Sequence, residues 1–293
     1  RVAATAAAIA LLTSSALLHD HVDVHAHQRA HVGRQHPVAA RYQHQLVGRV
    51  DAGHDLRDTR IDPPRFAVDA LEPALLAFYE MPVNPAGLET DTRPPIVFDP
   101  NLRVMHFMQV DGTTMGTIVS WADHPETPWG KNTEITADFP GYLRDALENG
   151  VVQGGKLLRP GVGGIHLYIN GAIGGLMTTS PNVTVHDPYL NQDFREPSHG
   201  KARALGRQLA ARIFPLLEKD NPVLQDHLAI SIHARTFQVP IANKLFLLAP
   251  VLGVIDRGHP GGEAWYKRRT ESAVITLGDT TIACVPGEIY PEV

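Results

Sequence analysis

After about residue 64, strand patterns and helix patterns take turns along the chain, and that alternation limits the folds open to it. Leu102 to Val110 reads as a strand, Asp111-Gly112 as a hairpin turn, and Met115 to Ala122 as the returning strand. A helix is expected from Asp138, its capping residue, to the stop at Gly150. Pro140 sits in its first turn, and Phe139, Leu143, Ala146 and Leu147 form its apolar stripe. Gly164 to Asn170 reads as a buried strand, followed by a glycine-rich loop at Gly171–Gly175. Ser198 is placed to cap a second helix running to about Lys219, with Ala202, Leu205, Leu209, Ile213 and Leu216 on one face. Leu228 to Val239 is a further strand, and Ala273–Leu277 with Thr281–Val285 makes a second hairpin across Gly278-Asp279. Interleaving of this kind excludes a helix bundle or a sandwich. It predicts an α/β class: a mixed β-sheet with flanking helices in a single layered domain.

The stretch from Ala16 to Arg60 breaks this pattern. It holds eight of the 16 histidines and no Glu, Lys, Ser, Asn, Ile, Phe, Trp, Met or Cys. Neither hydrophobic period runs through it. One explanation is an out-of-frame translation of a GC-rich gene, which favours His, Arg, Ala, Val and Gly. The other is a His-rich metal-sequestering insertion with His25 and His27 as its obvious pair. Either way the pattern predicts no regular packed structure there. Before it, Arg1 and the apolar run Val2–Leu12 read either as a signal-peptide core or as an Ala-rich helix of a domain entered midway.

Composition removes several classes of function. Lys and Arg total 26 against 31 Asp and Glu, so no basic excess exists to neutralise phosphates, and nucleic acid is not an expected partner. No apolar run reaches 18 residues, so no transmembrane segment is expected. The single cysteine, Cys284, excludes an intrachain disulfide framework and a cysteine-based zinc module. No lipid-binding helix or large apolar patch is evident either.

Three places carry chemistry. His124 follows an apolar strand and enters a loop with Asp123, Glu126, Asn132 and Asp138 nearby. A neutral imidazole there is a zinc ligand that a carboxylate orients, or a turn histidine bonded to backbone. Glu288 follows a strand end at Val285-Pro286-Gly287 and is a metal ligand, a general base, or an exposed turn residue. Gly174 and Gly175 allow close approach of backbone to a ligand and offer N–H groups to an oxyanion, or simply make a tight turn. Thr178 supplies a hydroxyl just beyond.

Taken together these places resemble the neutral/alkaline non-lysosomal ceramidases. The block Gly116–Thr127 with Asn132–Gly141 is similar to the family's strand, zinc-binding His, Asn and helix start. Tyr168–Thr178 resembles its glycine-rich nucleophile loop, and Val285-Pro286-Gly287-Glu288 its glutamate turn. The resemblance implies that residues 1–293 are a fragment of one catalytic domain. It implies a zinc cofactor held by His124 and Glu288, with Gly174, Gly175, Thr178 and Asn132 as catalytic candidates. Asp123, Glu126 and Asp138 would orient the site from behind. The reaction implied is hydrolysis of a linear amide in an N-acyl, sphingolipid-like substrate through metal-activated water, in a secreted or periplasmic protein.

The departures point to a second reading, a non-catalytic relative that binds or supports. After Leu11–Ser15 the family continues into T-H-x-H, a further ligand, whereas Ala16-Leu17-Leu18-His19 follows here. Met177 stands where the family has its nucleophilic serine, and the family's tyrosine ligand lies further along than this sequence runs.

Overall fold

The computed structural model describes residues 45–48, 71–83, 87–91, 93–175, 177–225, 228–254 and 267–292. The expected helix or signal core at Val2–Leu12, the pair His25 and His27, and most of the anomalous segment lie outside the described residues. The described part falls into two compact units: the described residues of Ala26–His227 with Glu288–Val293, and Leu228–Gly287.

The first unit is built on a five-stranded sheet in the order β1 (Gln45–Gly48), β2 (Leu71–Pro82), β3 (Asn101–Met108), β4 (Thr114–Trp121), β7 (Ile165–Asn170). β1 to β4 pair antiparallel, and β7 joins β4 in parallel. The hairpin expected across Asp111-Gly112 is present, with Gly112 N–H donating to Gln109 O at 2.9 Å. β1 corrects the expectation that residues 16–60 hold no regular structure. Gln45–Gly48 pairs with Leu71–Ala74 at the sheet edge, where backbone hydrogen bonding imposes little on the side-chain pattern.

The parallel step from β4 to β7 needs a crossover, and helix α1 (Asp138–Asn149) supplies it. Asp138 is the first helical residue, one position later than a cap proper. It adopts φ 50°, which Asp tolerates, and its Oδ1 accepts the Phe139 N–H at 2.5 Å. A short hairpin of β5 (Gly150–Gln153) and β6 (Lys156–Pro160) follows, unforeseen from sequence because its strands are short and mostly exposed. A second small ribbon, β8 (Val185–Asp187) and β9 (Gln192–Phe194), precedes helix α2 (His199–Leu217). Ser198 caps α2 as expected: its hydroxyl accepts the Lys201 N–H at 3.2 Å.

The core lies where α1 and α2 meet the sheet. Phe139, Leu143 and Leu147 of α1 and Leu205, Leu209 and Ile213 of α2 are fully buried against Leu102, Val104, Val119 and Trp121. Phe139 stands edge-on to both Trp121 (5.9 Å) and Tyr168 (5.3 Å), tying the helix to the ends of β4 and β7. The buried ion pair Arg207–Asp187, at 2.8 Å, joins α2 to β8, and Arg207 also donates to Val152 O. The second unit is an antiparallel sheet of β10 (Ile230–Pro240), β11 (Lys267–Leu277) and β12 (Thr280–Cys284), with a short helix α3 (Lys244–Val251) after β10.

Candidate functional site

The site forms where β4 runs out. Past Trp121 the chain continues extended to His124, and a segment from the glycine-rich loop lies beside it. His124 N–H donates to Met177 O at 3.0 Å, while Thr178 exchanges both backbone hydrogen bonds with Thr90, at 2.8 and 3.0 Å. Residues 177–178 are thus the middle strand of a three-strand patch, parallel to His124 and antiparallel to Thr90. Lys201, buried in α2, donates its ammonium to Ser180 O at 2.7 Å and to Arg195 O at 3.0 Å, which fixes the chain just past this patch.

The imidazole of His124 has its tautomer set by this arrangement. Nδ1 lies 2.7 Å from Met177 O. A carbonyl only accepts, so Nδ1 carries a hydrogen, and in the neutral imidazole Nε2 then presents its lone pair. Nε2 in turn lies 3.3 Å from Glu288 Oε1. His124 and Glu288, 164 positions apart in sequence, therefore meet in one place.

The segment carrying Glu288 is held by contacts that sequence did not disclose. Gly174 N–H donates to Ile289 O at 2.8 Å, and a Cβ on Gly174 would stand 2.8 Å from the Ile289 carbonyl carbon and oxygen. The residue has to be glycine because the Glu288 segment crosses directly over it. This corrects the expectation for Gly174: its N–H is committed to Ile289 and does not face a substrate. Gly175 N–H makes no hydrogen bond among the described residues. Arg93 completes the clamp. Its guanidinium lies 4.5 Å from the Tyr290 ring centroid and donates to Glu292 Oε1 at 2.8 Å. That bond holds the Glu292 carboxyl below its ordinary range. Neither Arg93 nor the Met177 carbonyl carried a signal in the sequence, since one sits in an unremarkable loop and the other is a backbone atom.

The remaining candidates part company. Asn132 bonds the backbone of Glu134: Nδ2 donates to its carbonyl at 2.8 Å, and Oδ1 accepts its N–H at 3.1 Å. These bonds shape the loop. Glu126 is exposed, and its backbone closes turns with His124 and Trp129. Asp138 starts α1. None of Asp123, Glu126 and Asp138 hydrogen-bonds the His124 ring, so the orienting role assigned to them belongs to Met177 O. Such a carbonyl serves as well as a carboxylate in fixing a ligand imidazole. Thr178 Oγ1 is buried next to His124 and has no hydrogen-bond partner among the described residues.

Behind the patch lies a set of buried acids. Glu89 is 1% exposed, and neither carboxyl oxygen has a partner among the described residues. Burial, and secondarily the charge of Asp99, pushes it up to about 9, so it is a neutral acid at pH 7. Asp123 is fully buried, and burial followed by the nearby Glu89 raises it well above its ordinary range. The geometry around Thr179 agrees. Thr179 has one hydroxyl hydrogen but two oxygens in reach, Leu88 O at 2.7 Å and Asp123 Oδ2 at 3.0 Å. Both contacts are satisfied when Thr179 donates to Leu88 O and a protonated Asp123 donates to Thr179. Asp138 is also raised by burial. The Thr127 hydroxyl lies near enough to oppose that rise without making a well-aligned hydrogen bond.

The fit to a metal can be tested on these distances. Zinc takes His and Glu ligands at about 2.0–2.2 Å in tetrahedral array, which separates two ligand atoms by roughly 3.3–3.6 Å. The observed 3.3 Å matches. A charge-assisted N–H···O bond is shorter, about 2.7–2.9 Å. His124 and Glu288 thus fit as two ligands of one ion, although among the described residues no group of three such side chains is assembled.

No family model matches this sequence, and no curated protein matches it. Among solved structures, the chain is similar to neutral ceramidase from Pseudomonas aeruginosa, with a TM-score of 0.51 and 15% identity over 77% of this chain and 42% of that one. A ceramidase complexed with C2 matches with a TM-score of 0.48 and 14% identity, over 75% of this chain and 42% of that one. This chain therefore spans less than half the length of the structures it matches. At such identity the first match shows a shared α/β fold. No helix among the described residues is long and apolar enough to cross a membrane.

Proposed function

We propose that this chain is part of a zinc-dependent hydrolase of linear amide bonds, ceramidase-like in kind, that acts on an N-acyl substrate. The observation that carries the reading is the facing pair His124 Nε2 and Glu288 Oε1. Two acceptors stand 3.3 Å apart with the imidazole hydrogen held on the far nitrogen by Met177 O. With the imidazole neutral, two lone pairs so placed repel unless a cation lies between them, and their spacing suits zinc. A zinc ion held there would supply Lewis acidity to an amide carbonyl and to a water. The chain's own part is to aim the ligands: Met177 O sets the His124 tautomer, and Gly174, Arg93 and Ile289 seat Glu288. Thr178 supplies the hydroxyl next to His124, and Gly175 the uncommitted N–H for a developing oxyanion. A secreted or periplasmic location belongs to this reading.

Two ligands alone bind zinc weakly, and Met177 offers no nucleophile. These points favour a second reading, a relative of the same fold that binds without turning over. A zinc titration by calorimetry separates the chain from His124→Ala and Glu288→Ala. The hydrolase reading expects weak one-to-one binding that either substitution abolishes, and zinc heat unchanged by both substitutions refutes it. This chain is expected to show little or no ceramide hydrolysis, and robust zinc-dependent turnover would contradict that. The coding DNA for residues 10–65 is a further check, because a T-H-x-H in either alternative frame would provide the missing ligand.

A further inference from the structure

Two turns carry the chain from His124 to an aromatic side chain. Glu126 N–H donates to His124 O and Trp129 N–H to Glu126 O, each at 2.8 Å. Between them Thr127 and Pro128 are buried, which anchors the stretch. Trp129 opens a single 3-10 turn, Trp129–Lys131, and Asn132 N–H closes it on Trp129 O at 3.1 Å. The loop is thus fixed immediately after one member of the His124–Glu288 pair.

The backbone of Trp129 is strained. Its φ is 59°, in the left-handed region that a bulky side chain enters only at a cost. Glycine takes that region freely, and Gly130 is next in the chain. Yet Gly130 lies outside it, and a Cβ on Gly130 would meet nothing within 4 Å. Glycine in the strained place with a larger residue after it therefore meets no steric bar at position 130. Local sterics do not account for tryptophan in the left-handed position. Core packing does not either, because the side chain is 41% exposed. Strain of this kind collects at ligand clamps, where it holds a contact ready in advance.

The Glu288 segment is built alike. Tyr290, two residues on, is 46% exposed, and the Arg93 guanidinium holds its ring at 4.5 Å. Each of the two facing side chains therefore has, on its own segment, an exposed aromatic held in place. Such rings cover hydrocarbon at low entropic cost, since two χ angles set each of them.

We propose that Trp129 is a specificity-determining residue: its indole, with the Tyr290 ring, covers the first methylenes of a hydrocarbon chain borne by the amide carbonyl, so that long acyl groups are selected over short ones. This rests on the amide-hydrolysis reading for where the scissile bond lies, and adds which side chain measures the acyl group.

The test follows binding of acetamide, butanamide, hexanamide and octanamide to the whole chain by calorimetry, without zinc, so that turnover plays no part. Octanamide is expected to bind and acetamide not, with affinity rising about two- to fourfold per added methylene. Trp129→Gly should weaken octanamide binding about tenfold or more. Its urea midpoint should be unchanged or higher, because glycine relieves the strain. Trp129→Phe should keep most of the binding. A tryptophan with a merely structural role does the reverse: the glycine variant loses stability and keeps its affinity. The proposal is overturned by a wild type that does not bind octanamide, by affinity independent of chain length, by equal octanamide affinity in Trp129→Gly, or by a lowered midpoint in that variant. Zinc binding that His124→Ala abolishes, together with octanamide affinity indifferent to Trp129, sinks this proposal alone. Trp129-dependent octanamide binding with no zinc binding sinks the hydrolase reading alone.

Discussion

Replacing Glu89 by Gln tests the buried acid set directly. Glu89 is buried with no hydrogen-bond partner on either oxygen among the described residues, and its folded value of about 9 lies far above the ordinary 4.5. The sign follows from the protons bound. Between those two values the folded state keeps the proton and the unfolded state has lost it, so folding becomes less favourable as pH rises. Each pH unit in that window costs about 1.4 kcal/mol, so from pH 7 to pH 8.5 the group removes roughly 2 kcal/mol. That is a sizeable share of a typical total of about 5–15 kcal/mol. Glutamine keeps the volume and never ionises, so Glu89→Gln should abolish this slope and be the more stable protein at pH 8.5. Urea unfolding at pH 7 and 8.5 measures it, with the m-value as a check on two-state behaviour. A wild type whose stability is level or rising over that range, or a variant with the same slope, would refute the assignment of Glu89 as a buried neutral acid.

On the acid side the expectation reverses. His106 and His166 are held down to about 4 by burial, so the unfolded state takes protons that the folded state refuses, and stability should fall as pH drops from 6.5 to 4. The loss is up to about 3 kcal/mol per histidine, read from urea midpoints at pH 6.5 and 4.5. Gly174→Ala should weaken zinc binding tenfold or more, because its Cβ displaces Ile289 and with it Glu288; calorimetry checks this. Ser198→Ala should lower stability by about 1 kcal/mol through loss of the α2 cap, measured by chemical unfolding.

Local signals in the sequence determined several elements of the first unit. The apolar stripe from Phe139 to Leu147, the serine before α2 and the Asp-Gly turn act over a few residues, so they read correctly without the rest of the chain. β2 was not legible, since it gains stability from partners distant in sequence, and the two small ribbons were not because their strands are only three to five residues long. The site was legible in part. His124 and Glu288 could be marked because each follows a strand, and their type restricts their chemistry. Their meeting at 3.3 Å, the choice of tautomer and the reassignment of Gly174 from substrate contact to seat for Ile289 are facts about chain segments crossing. The acids behind the patch show the same division. The sequence determined that residue 89 is a glutamate, but its charge depends on how much water surrounds it, and only the packing of the tertiary structure removes that water.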